Sequence, residues 1–242
     1  MQRGQIFALV QDIFLCYDVE NIHLDPINAM KLRRFIMTGI IFDVDGTLWD
    51  STDVVAEAWN LAIDENSDLT PNLTGEELKS LFGKTMEEIF DALFPSLSSE
   101  EKMRLGTLCY EYENRLLEDK PGNVYEGVIE TFHTLSDTHP LFIVSNCQCG
   151  YIEAFLKSTG LNTCVKDHLC YGETLVSKGQ TIRMLMERNQ LKEAVYVGDT
   201  LGDFNACKET GIPFIFAEYG FGDVPEADRL IQSISQLAEM TF

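Results

Sequence analysis

The sequence contains no long apolar run. Apolar residues make up 45% of the 242 residues, but they are scattered along the chain. No run reaches the roughly 18–20 residues that a membrane-spanning helix requires. The apolar stretch at 6–17 is interrupted by Gln11 and Asp12 and lacks a clear small-residue cleavage site, so it matches a signal peptide poorly. We therefore expect a cytoplasmic protein without a membrane partner.

Basic residues are also scarce. The chain has 18 lysines and arginines against 39 aspartates and glutamates, and its formal net charge is −21. A field of this sign repels nucleic acid and anionic membranes, so neither is expected as a partner. It also repels a phosphorylated ligand unless cations are gathered locally. We therefore expect a metal ion or a lysine at any phosphate site.

The cysteines form no recognisable framework. They are residues 16, 109, 147, 149, 164, 170 and 207. Their odd number and irregular spacing are typical of reduced thiols in the cytoplasm. Cys147 and Cys149 form a C-x-C pair, but no second pair follows at the spacing of a zinc finger, so no zinc site is predicted.

Residues 1–36 differ from the rest of the chain. They are mixed in composition, carry the basic segment KLRR at 31–34 and end just before Met37. We interpret them as an N-terminal extension of unclear role. Two hypotheses stand: translation that starts at Met30 or Met37, or a short helix on the surface.

Beyond residue 36 the apolar pattern divides the chain into two parts. Strand-like and helical patterns alternate in residues 37–50 and 122–242, the expected core. The predicted strands are 39–43, 141–146, near 168–171, 194–200 and 213–220, and the predicted helices are 126–136, 150–159, 178–189, 203–210 and 226–239. Residues 51–121 contain four predicted helices, 52–66, 75–81, 85–93 and about 99–118, and no strand. The predicted fold class is α/β: a doubly wound, Rossmann-like parallel sheet with an inserted four-helix cap domain.

Polar residues follow three of the predicted strands. They are Asp43 and Asp45 after the first strand, Ser145 and Asn146 after the second, and Asp199 after a later one, with Asp203 a helical turn beyond and Lys178 at the start of the preceding helix. Ligands of open parallel sheets bind at the carboxyl ends of the strands. We therefore expect these side chains to meet at one edge of the sheet.

Such a cluster indicates phosphate chemistry. Four ionised carboxylates need a cation to lie together, and their hard oxygens favour Mg²⁺ over zinc. Ser145 and Lys178 suit a phosphate group, and backbone N–H groups after Asp43 can surround its oxygens. One carboxylate of the pair Asp43 and Asp45 can attack phosphorus while the other moves the proton. A simple turn role for the pair does not account for the remaining residues.

The four motifs, in this order, resemble those of the haloacid dehalogenase superfamily of phosphohydrolases, in the branch with a helical cap. D-x-D-G-T corresponds to residues 43–47 and is followed by L-x-D-S at 48–51. The second motif is Ser145, the third is Lys178, and G-D-x-x-x-D is 198–203. The resemblance covers residues 38–240. Within the branch the chain is similar to phosphoglycolate phosphatases and to β-phosphoglucomutase.

The resemblance implies a role for each motif residue. Asp43 is implied to be the nucleophile that forms an aspartyl-phosphate, and Asp45 the acid that protonates the leaving group and then activates water. The implied metal ligands for Mg²⁺ are Asp43, the backbone carbonyl of Asp45, Asp199 and Asp203. The implied phosphate-binding residues are Gly46, Thr47, Ser145, Asn146 and Lys178. The acid at position 45 favours phosphoryl transfer, because dehalogenases and phosphonate-cleaving relatives differ there.

Specificity is expected to come from the cap. The turn within FGKTMEEIF, residues 82–90, faces the active site in related capped proteins, so Lys84 is predicted to contact an anionic part of the substrate. A solvated lysine at a helix start is the alternative. Trp49, at the hinge, is predicted to pack against the substrate or only against the cap. Asp50 and Ser51 are predicted to cap the first cap helix.

These observations predict a Mg²⁺-dependent phosphatase of a small phosphorylated metabolite, which is a phosphoglycolate-like acid, a sugar phosphate or a nucleotide. The alternative is a phosphomutase similar to β-phosphoglucomutase, which shares all four motifs. A non-catalytic binding module is disfavoured, because such a module does not need both Asp43 and Asp45. The oligomeric state, monomer or homodimer, stays open.

Overall fold

The structure, a computed structural model, describes residues 38–242 of the chain. The N-terminal extension and the hypotheses on its origin lie outside the described residues. In the part of the chain that is described, no helix combines the length and the apolar character needed to cross a membrane. The six cysteines of this part are free thiols.

A parallel sheet forms the centre of the fold. The strands are β1 (Gly39–Phe42), β2 (Trp49–Asp50), β3 (Asn123–Val124), β4 (Leu141–Ser145), β5 (Val165–Cys170), β6 (Ala194–Gly198), β7 (Phe214–Ala217) and β8 (Leu230–Ile231). Six of these described strands pair in the order β5-β4-β1-β6-β7-β8. On one side of β1 the sheet continues with β4 and β5, and on the other side with β6, β7 and β8. The carboxyl end of β1 therefore lies at the switch in strand order, where ligands of such sheets bind.

Helices cover both faces of the sheet. They are α1 (Thr52–Asn66), α2 (Gly75–Lys79), α3 (Met86–Leu93), α4 (Ser99–Asp119), α5 (Val128–Ser136), α6 (Tyr151–Thr159), α7 (Tyr171–Thr174), α8 (Lys178–Arg188) and α9 (Leu201–Thr210), with short 3₁₀ helices at Leu161–Thr163 and Ile234–Glu239. Ile40 and Phe42 of β1 belong to one apolar cluster and Ile41 to the other. Successive side chains of a strand alternate between faces, so the sheet is buried on both sides. The predicted doubly wound parallel sheet is confirmed.

The four helices α1–α4 form the insert predicted after the first strand. Three of them begin with a capping box, formed by Thr74 with Glu77, Thr85 with Glu88, and Ser98 with Glu101. These reciprocal bonds satisfy N–H groups that a helix start otherwise leaves unpaired, which explains where α2, α3 and α4 begin. The chain enters and leaves the insert through β2 and β3, which pair antiparallel. The predicted cap boundaries at 51 and 121 stay a prediction.

The predicted helix at 226–239 is wrong. In its place β8 pairs with β7 at the edge of the sheet, and a 3₁₀ helix follows at Ile234–Glu239. The buried residues Ile231, Ile234 and Leu237 recur every three positions. This spacing suits three residues per turn rather than the 3.6 of an α-helix. The strand predicted near 168–171 begins earlier, at Val165, and ends at Cys170.

Candidate active site

Three predicted aspartates converge at the carboxyl ends of β1 and β6. Asp43 follows β1, Asp199 follows β6, and Asp203 lies in the first turn of α9. All three are buried, and one carboxylate oxygen of each lies within 4.8 Å of the others. The fold therefore brings together residues that are up to 160 positions apart in the chain, from Asp43 to Asp203. Their position after strand ends predicted this convergence.

Lys178 joins two of these carboxylates. It is the first residue of α8, and its Nζ donates to Asp43 Oδ1 at 2.9 Å and to Asp203 Oδ1 at 2.6 Å. Burial alone would lower the pKa of the Lys178 ammonium, but the carboxylates of Asp203 and Asp43 raise it above its usual range. The lysine is therefore a fixed positive charge beside the predicted nucleophile.

Asp203 and Asp199 differ in how their oxygens are engaged. Asp203 Oδ2 accepts from the N–H of Thr200 at 3.0 Å and from its Oγ1 at 2.6 Å, so both Asp203 oxygens have protein partners. Asp199 Oδ2 accepts from the N–H of Phe221 at 2.7 Å, but its buried Oδ1 has no partner among the described residues. Burial raises the pKa of Asp199 well above its usual range. An unpartnered buried carboxylate oxygen is costly, and a cation is the partner that fits it.

Asp45 is held by three donors on one oxygen. Its Oδ1 accepts from Trp49 Nε1 at 3.1 Å, from Ser51 Oγ at 3.0 Å and from Tyr151 Oη at 2.5 Å. Burial raises the pKa of Asp45 to about 6, although these donors oppose the rise. Burial likewise raises the pKa of Asp43 to about 7, against the effect of Lys178. Burial thus moves the pKa of both carboxyls up towards neutral pH, and for Asp45 this is the range that suits proton transfer.

Two of these donors have roles that the sequence did not predict. Trp49 is fully buried, contacts the ring edges of Tyr151 and Phe155, and does not line the cavity described below. The indole orients Asp45, and the predicted packing of Trp49 against the substrate stays a prediction. Ser51 makes no side-chain cap on α1, whereas Asp50 Oδ1 accepts from the N–H of Thr52 at 3.1 Å. The capping interpretation thus applies to Asp50, and for the Ser51 hydroxyl it is wrong.

Tyr151 is a residue of this site that the sequence analysis did not predict. It begins α6, just after the second motif, and its ring is buried. No local pattern marks it, because its contact with Asp45 spans 106 positions of the chain. The sequence offers one signal for it: Tyr151 directly follows Gly150, at the start of the helix after Ser145, which is near the functional edge of the sheet.

A cavity of about 50 Å³ lies between the acids and the insert. The core contributes Asp43, Asp45, Ser145 and Asn146 to its lining, and Lys84 lines it from the turn between α2 and α3. Lys84 is thus at the place predicted for a specificity residue. Asn146 Nδ2 donates to the carbonyl of Gly83 at 2.8 Å, which ties the end of β4 to this turn.

Gly46 and Thr47 do not line the cavity. Their N–H groups donate within the loop, from Gly46 to the Trp49 carbonyl and from Thr47 to the Val44 carbonyl. In the described chain this leaves the N–H groups of Val44 and Asp45 without a backbone acceptor. Gly46 has a φ of +78°, and a Cβ there would lie 2.0 Å from Asp199 Oδ2. The two residues therefore shape the loop, and their role in phosphate binding stays a prediction.

Comparison with known proteins identifies the family. Residues 40–217 match the family model described as haloacid dehalogenase-like hydrolase. The match spans more than half of the chain, and the protein belongs to this family. The resemblance inferred from the four motifs is confirmed, and the protein is an enzyme of the hydrolase class.

Individual relatives agree with this assignment. The chain is 28% identical over 228 residues to a phosphoglycolate phosphatase of Chromobacterium violaceum, covering 87% of this chain and 98% of that protein. It is 24% identical over 215 residues to a phosphoglycolate phosphatase of Agrobacterium fabrum, covering 84% and 91%. A solved haloacid dehalogenase-like family protein of Streptococcus pneumoniae superposes with a TM-score of 0.72 at 20% identity, covering 84% of this chain and 97% of that one. The last comparison establishes the shared fold.

Proposed function

We propose that the protein is a Mg²⁺-dependent phosphatase that hydrolyses small phosphorylated metabolites through an aspartyl-phosphate on Asp43. The observation that carries the proposal is the convergence of Asp43, Asp199 and Asp203 with Lys178 at the end of the central strand. The phosphoglycolate phosphatases among its relatives support the same class of reaction.

The acidic cluster fits a divalent cation. Its donors are carboxylate oxygens, which Mg²⁺ prefers, and Asp199 Oδ1 is buried without a partner in the described chain. We assign the metal to Asp43 and Asp199, with the backbone carbonyl of Asp45 as a further ligand and Asp203 beside it. When bound, Mg²⁺ supplies positive charge that reduces repulsion between the carboxylates and the phosphate and stabilises charge on the transferring group.

Asp43 is placed to attack phosphorus. Lys178 holds its Oδ1, which leaves Oδ2 for the attack. The phosphoryl oxygens are then close to Lys178, Ser145 and the N–H groups of Val44 and Asp45. These groups stabilise charge that develops during transfer without having to reorganise.

Asp45 is suited to move the proton. With its pKa near 6, it donates a proton to the departing alcohol and then, as a carboxylate, accepts one from the water that hydrolyses the aspartyl-phosphate. Its three donors to Oδ1 fix the carboxyl and leave Oδ2 for the leaving group. The small cavity favours a small leaving group, of the kind found in a phosphoglycolate-like acid or a small sugar phosphate. Lys84, exposed at the cavity, is the group that we expect to meet an anionic part of a longer substrate.

The experiment is phosphate release from a panel of phosphorylated metabolites, with Mg²⁺ and with EDTA, for the wild type and Asp43→Asn. We expect metal-dependent release that is lost in Asp43→Asn and retained in Asp64→Asn, which changes an exposed acid of the insert. Equal activity of Asp43→Asn and the wild type would contradict the proposed nucleophile. Isomerisation of a hexose 1-phosphate without phosphate release would instead identify a phosphomutase.

A further inference from the structure

Glu113 is a buried carboxyl that the proposed reaction does not use. It lies on α4 of the insert, is 4% exposed, and lines the same cavity as Asp43 and Asp45. A glutamate is seldom buried unless it has a partner. Its position opposite the reacting groups raises the question of what it binds.

The protein partners of Glu113 are two neutral donors. Trp59 Nε1 donates to its Oε2 at 2.6 Å, and Gln148 Nε2 donates to its Oε1 at 3.0 Å. Within residues 38–242, no lysine, arginine or histidine forms an ion pair with it. Burial raises the pKa of Glu113 to about 8, and the two donors oppose the rise. The carboxyl therefore lacks a compensating positive charge from the protein.

A chain of hydrogen bonds orients Glu113 as an acceptor. Asn114 Nδ2 donates to the carbonyl of Cys149 at 2.9 Å, which directs Asn114 Oδ1 toward Gln148. Gln148 Nε2 donates to that oxygen at 2.9 Å and to Glu113 with its other hydrogen. Because a backbone carbonyl only accepts, the direction of the whole chain is set, and Gln148 presents its NH₂ group to Glu113.

The oxygens of Glu113 retain acceptor capacity. A carboxylate offers about four lone-pair positions, and Trp59 and Gln148 occupy two of them. The side chain lines the cavity that receives the substrate, so a ligand group there can supply a further donor. A ligand hydroxyl or ammonium can donate to Glu113 in either protonation state, and an ammonium also supplies the positive charge that the protein does not place there, whereas a ligand carboxylate has no hydrogen to donate and brings a second acidic group into the same buried site.

We propose that Glu113 is a specificity-determining residue that accepts a hydrogen bond from a hydroxyl or ammonium group of the leaving alcohol and discriminates against a carboxylate there. The inference rests on the proposed phosphatase function and narrows its substrate class. The preferred substrates are phosphate monoesters of small polyols or amino alcohols rather than of hydroxy acids.

The test compares four esters of nearly equal size with saturating Mg²⁺. They are 2-hydroxyethyl phosphate, 2-aminoethyl phosphate, 2-phosphoglycolate and ethyl phosphate, which share the phosphorylated CH₂ group and differ only at the second carbon. We expect kcat/KM of the wild type for the hydroxyl or the ammonium ester to exceed that for 2-phosphoglycolate by about tenfold or more. The better of the two donor esters identifies which donor the site takes, and ethyl phosphate reports the reaction without either group.

Glu113→Gln keeps the shape of the side chain and removes its capacity to ionise. We expect it to lower the ratio of kcat/KM between the better donor ester and 2-phosphoglycolate by about tenfold. Glu111→Gln, an exposed neighbour on the same helix, is the matched control and should leave the ratio unchanged. Glu113→Asp, which keeps the acid but withdraws its oxygens, should also lower the ratio and replaces Glu113→Gln if that variant does not fold.

Two results would overturn the inference alone. One is a wild type that prefers 2-phosphoglycolate to both donor esters. The other is a Glu113→Gln variant, or Glu113→Asp in its place, that slows all four esters by the same factor, because a purely structural role lowers every rate together. If the wild type hydrolyses none of the four, nor any ester of the broader panel, the proposed function fails and the inference with it.

Discussion

At the scale of single residues, the site depends on how each carboxyl is held. Asp43 faces a lysine, Asp199 has an oxygen without a protein partner in the described chain, and Asp45 receives three donors on one oxygen. Three chemically identical side chains thus have three different environments. Different environments separate the roles of nucleophile, metal ligand and acid.

Tyr151→Phe tests how Asp45 is oriented. The change removes the donor at 2.5 Å from Asp45 Oδ1, while the buried ring stays in place. We expect kcat to fall by about tenfold with little change in KM, because the acid is less well positioned for transfer. The hydrogen bond lowers the pKa of Asp45, so its loss raises that pKa.

Tyr112→Phe is the matched control in steady-state kinetics. Its hydroxyl bonds the exposed Glu65 at 2.6 Å, away from the cavity, and its loss should leave kcat unchanged. Equal kcat for Tyr151→Phe and Tyr112→Phe would show that the tyrosine does not position Asp45.

Gly46→Ala tests the close approach between the first motif and Asp199. Gly46 and Gly160 have nearly the same φ, +78° and +74°. A Cβ atom added at Gly46 would lie 2.0 Å from Asp199 Oδ2, whereas a Cβ atom added at Gly160 would have no other atom within 4 Å. Gly160→Ala should therefore cost about 1 kcal/mol of unfolding free energy from backbone strain alone. Gly46→Ala should cost clearly more and abolish activity.

Denaturant unfolding of both alanine variants, with phosphatase assays alongside, makes this comparison. If the two variants lose the same free energy of unfolding and retain the same activity, the loop and Asp199 are not in the contact described.

At the scale of elements, the local sequence accounts for much of the fold. Continuous apolar runs predict the central strands, and Ser or Thr followed three residues later by Glu marks the start of α2, α3 and α4. The helix predicted at 226–239 is wrong, because the buried residues Ile231, Ile234 and Leu237 recur every three positions rather than with the 3.6-residue period of an α-helix. A short edge strand gains its stability from pairing with β7, which no local pattern contains.

The candidate site likewise contains residues that the sequence predicts and residues that it does not. Its motif residues lie at strand ends and helix starts, so topology brings them together and the sequence predicts them. Tyr151 and Glu113 reach the site through contacts between distant elements, such as α1 with α4 and the loop after β4. Such contacts depend on how helices pack, which residue spacing along the chain does not encode.

The capping box of α3 has a consequence for substrate binding. Thr85 caps this helix directly after Lys84, whereas Thr74 caps α2 away from the cavity. Thr74→Ala and Thr85→Ala should each lower the free energy of unfolding by about 1 kcal/mol. Only Thr85→Ala should raise KM, by a few-fold, because it loosens the turn that carries Lys84.

Chemical denaturation and steady-state kinetics on the two threonine variants separate these effects. A rise of KM in Thr74→Ala equal to that in Thr85→Ala would mean that general softening of the insert, rather than the turn, controls binding.

At the scale of the whole molecule, one buried acid links stability to pH. Burial raises the pKa of Glu113 from 4.5 to about 8, so between these values the folded protein holds a proton that the unfolded chain has released. The free energy of unfolding must therefore fall as pH rises through this window, by at most about 1.4 kcal/mol per pH unit. Glu113→Gln removes this contribution.

We expect the loss of stability between pH 5 and pH 8 to be larger in the wild type than in Glu113→Gln by roughly 1–3 kcal/mol. Denaturant unfolding in EDTA at several pH values measures it, since Asp43 and Asp45 contribute to both proteins and cancel in the difference. Glu111→Gln should follow the wild type. Parallel curves for the wild type and Glu113→Gln would show that Glu113 has an ordinary pKa.

The paired strands β2 and β3 have an implication for protein engineering. Trp49 lies beside Val124 and Asp50 beside Asn123, so the chain leaves the core and returns to it at the same spot. The strand order of the central sheet therefore does not depend on which segment is inserted between β2 and β3. A variant in which a tight hairpin joins Ser51 directly to Gly122 would keep the core topology. A cap domain from another protein could be inserted at the same junction to direct the enzyme toward new esters.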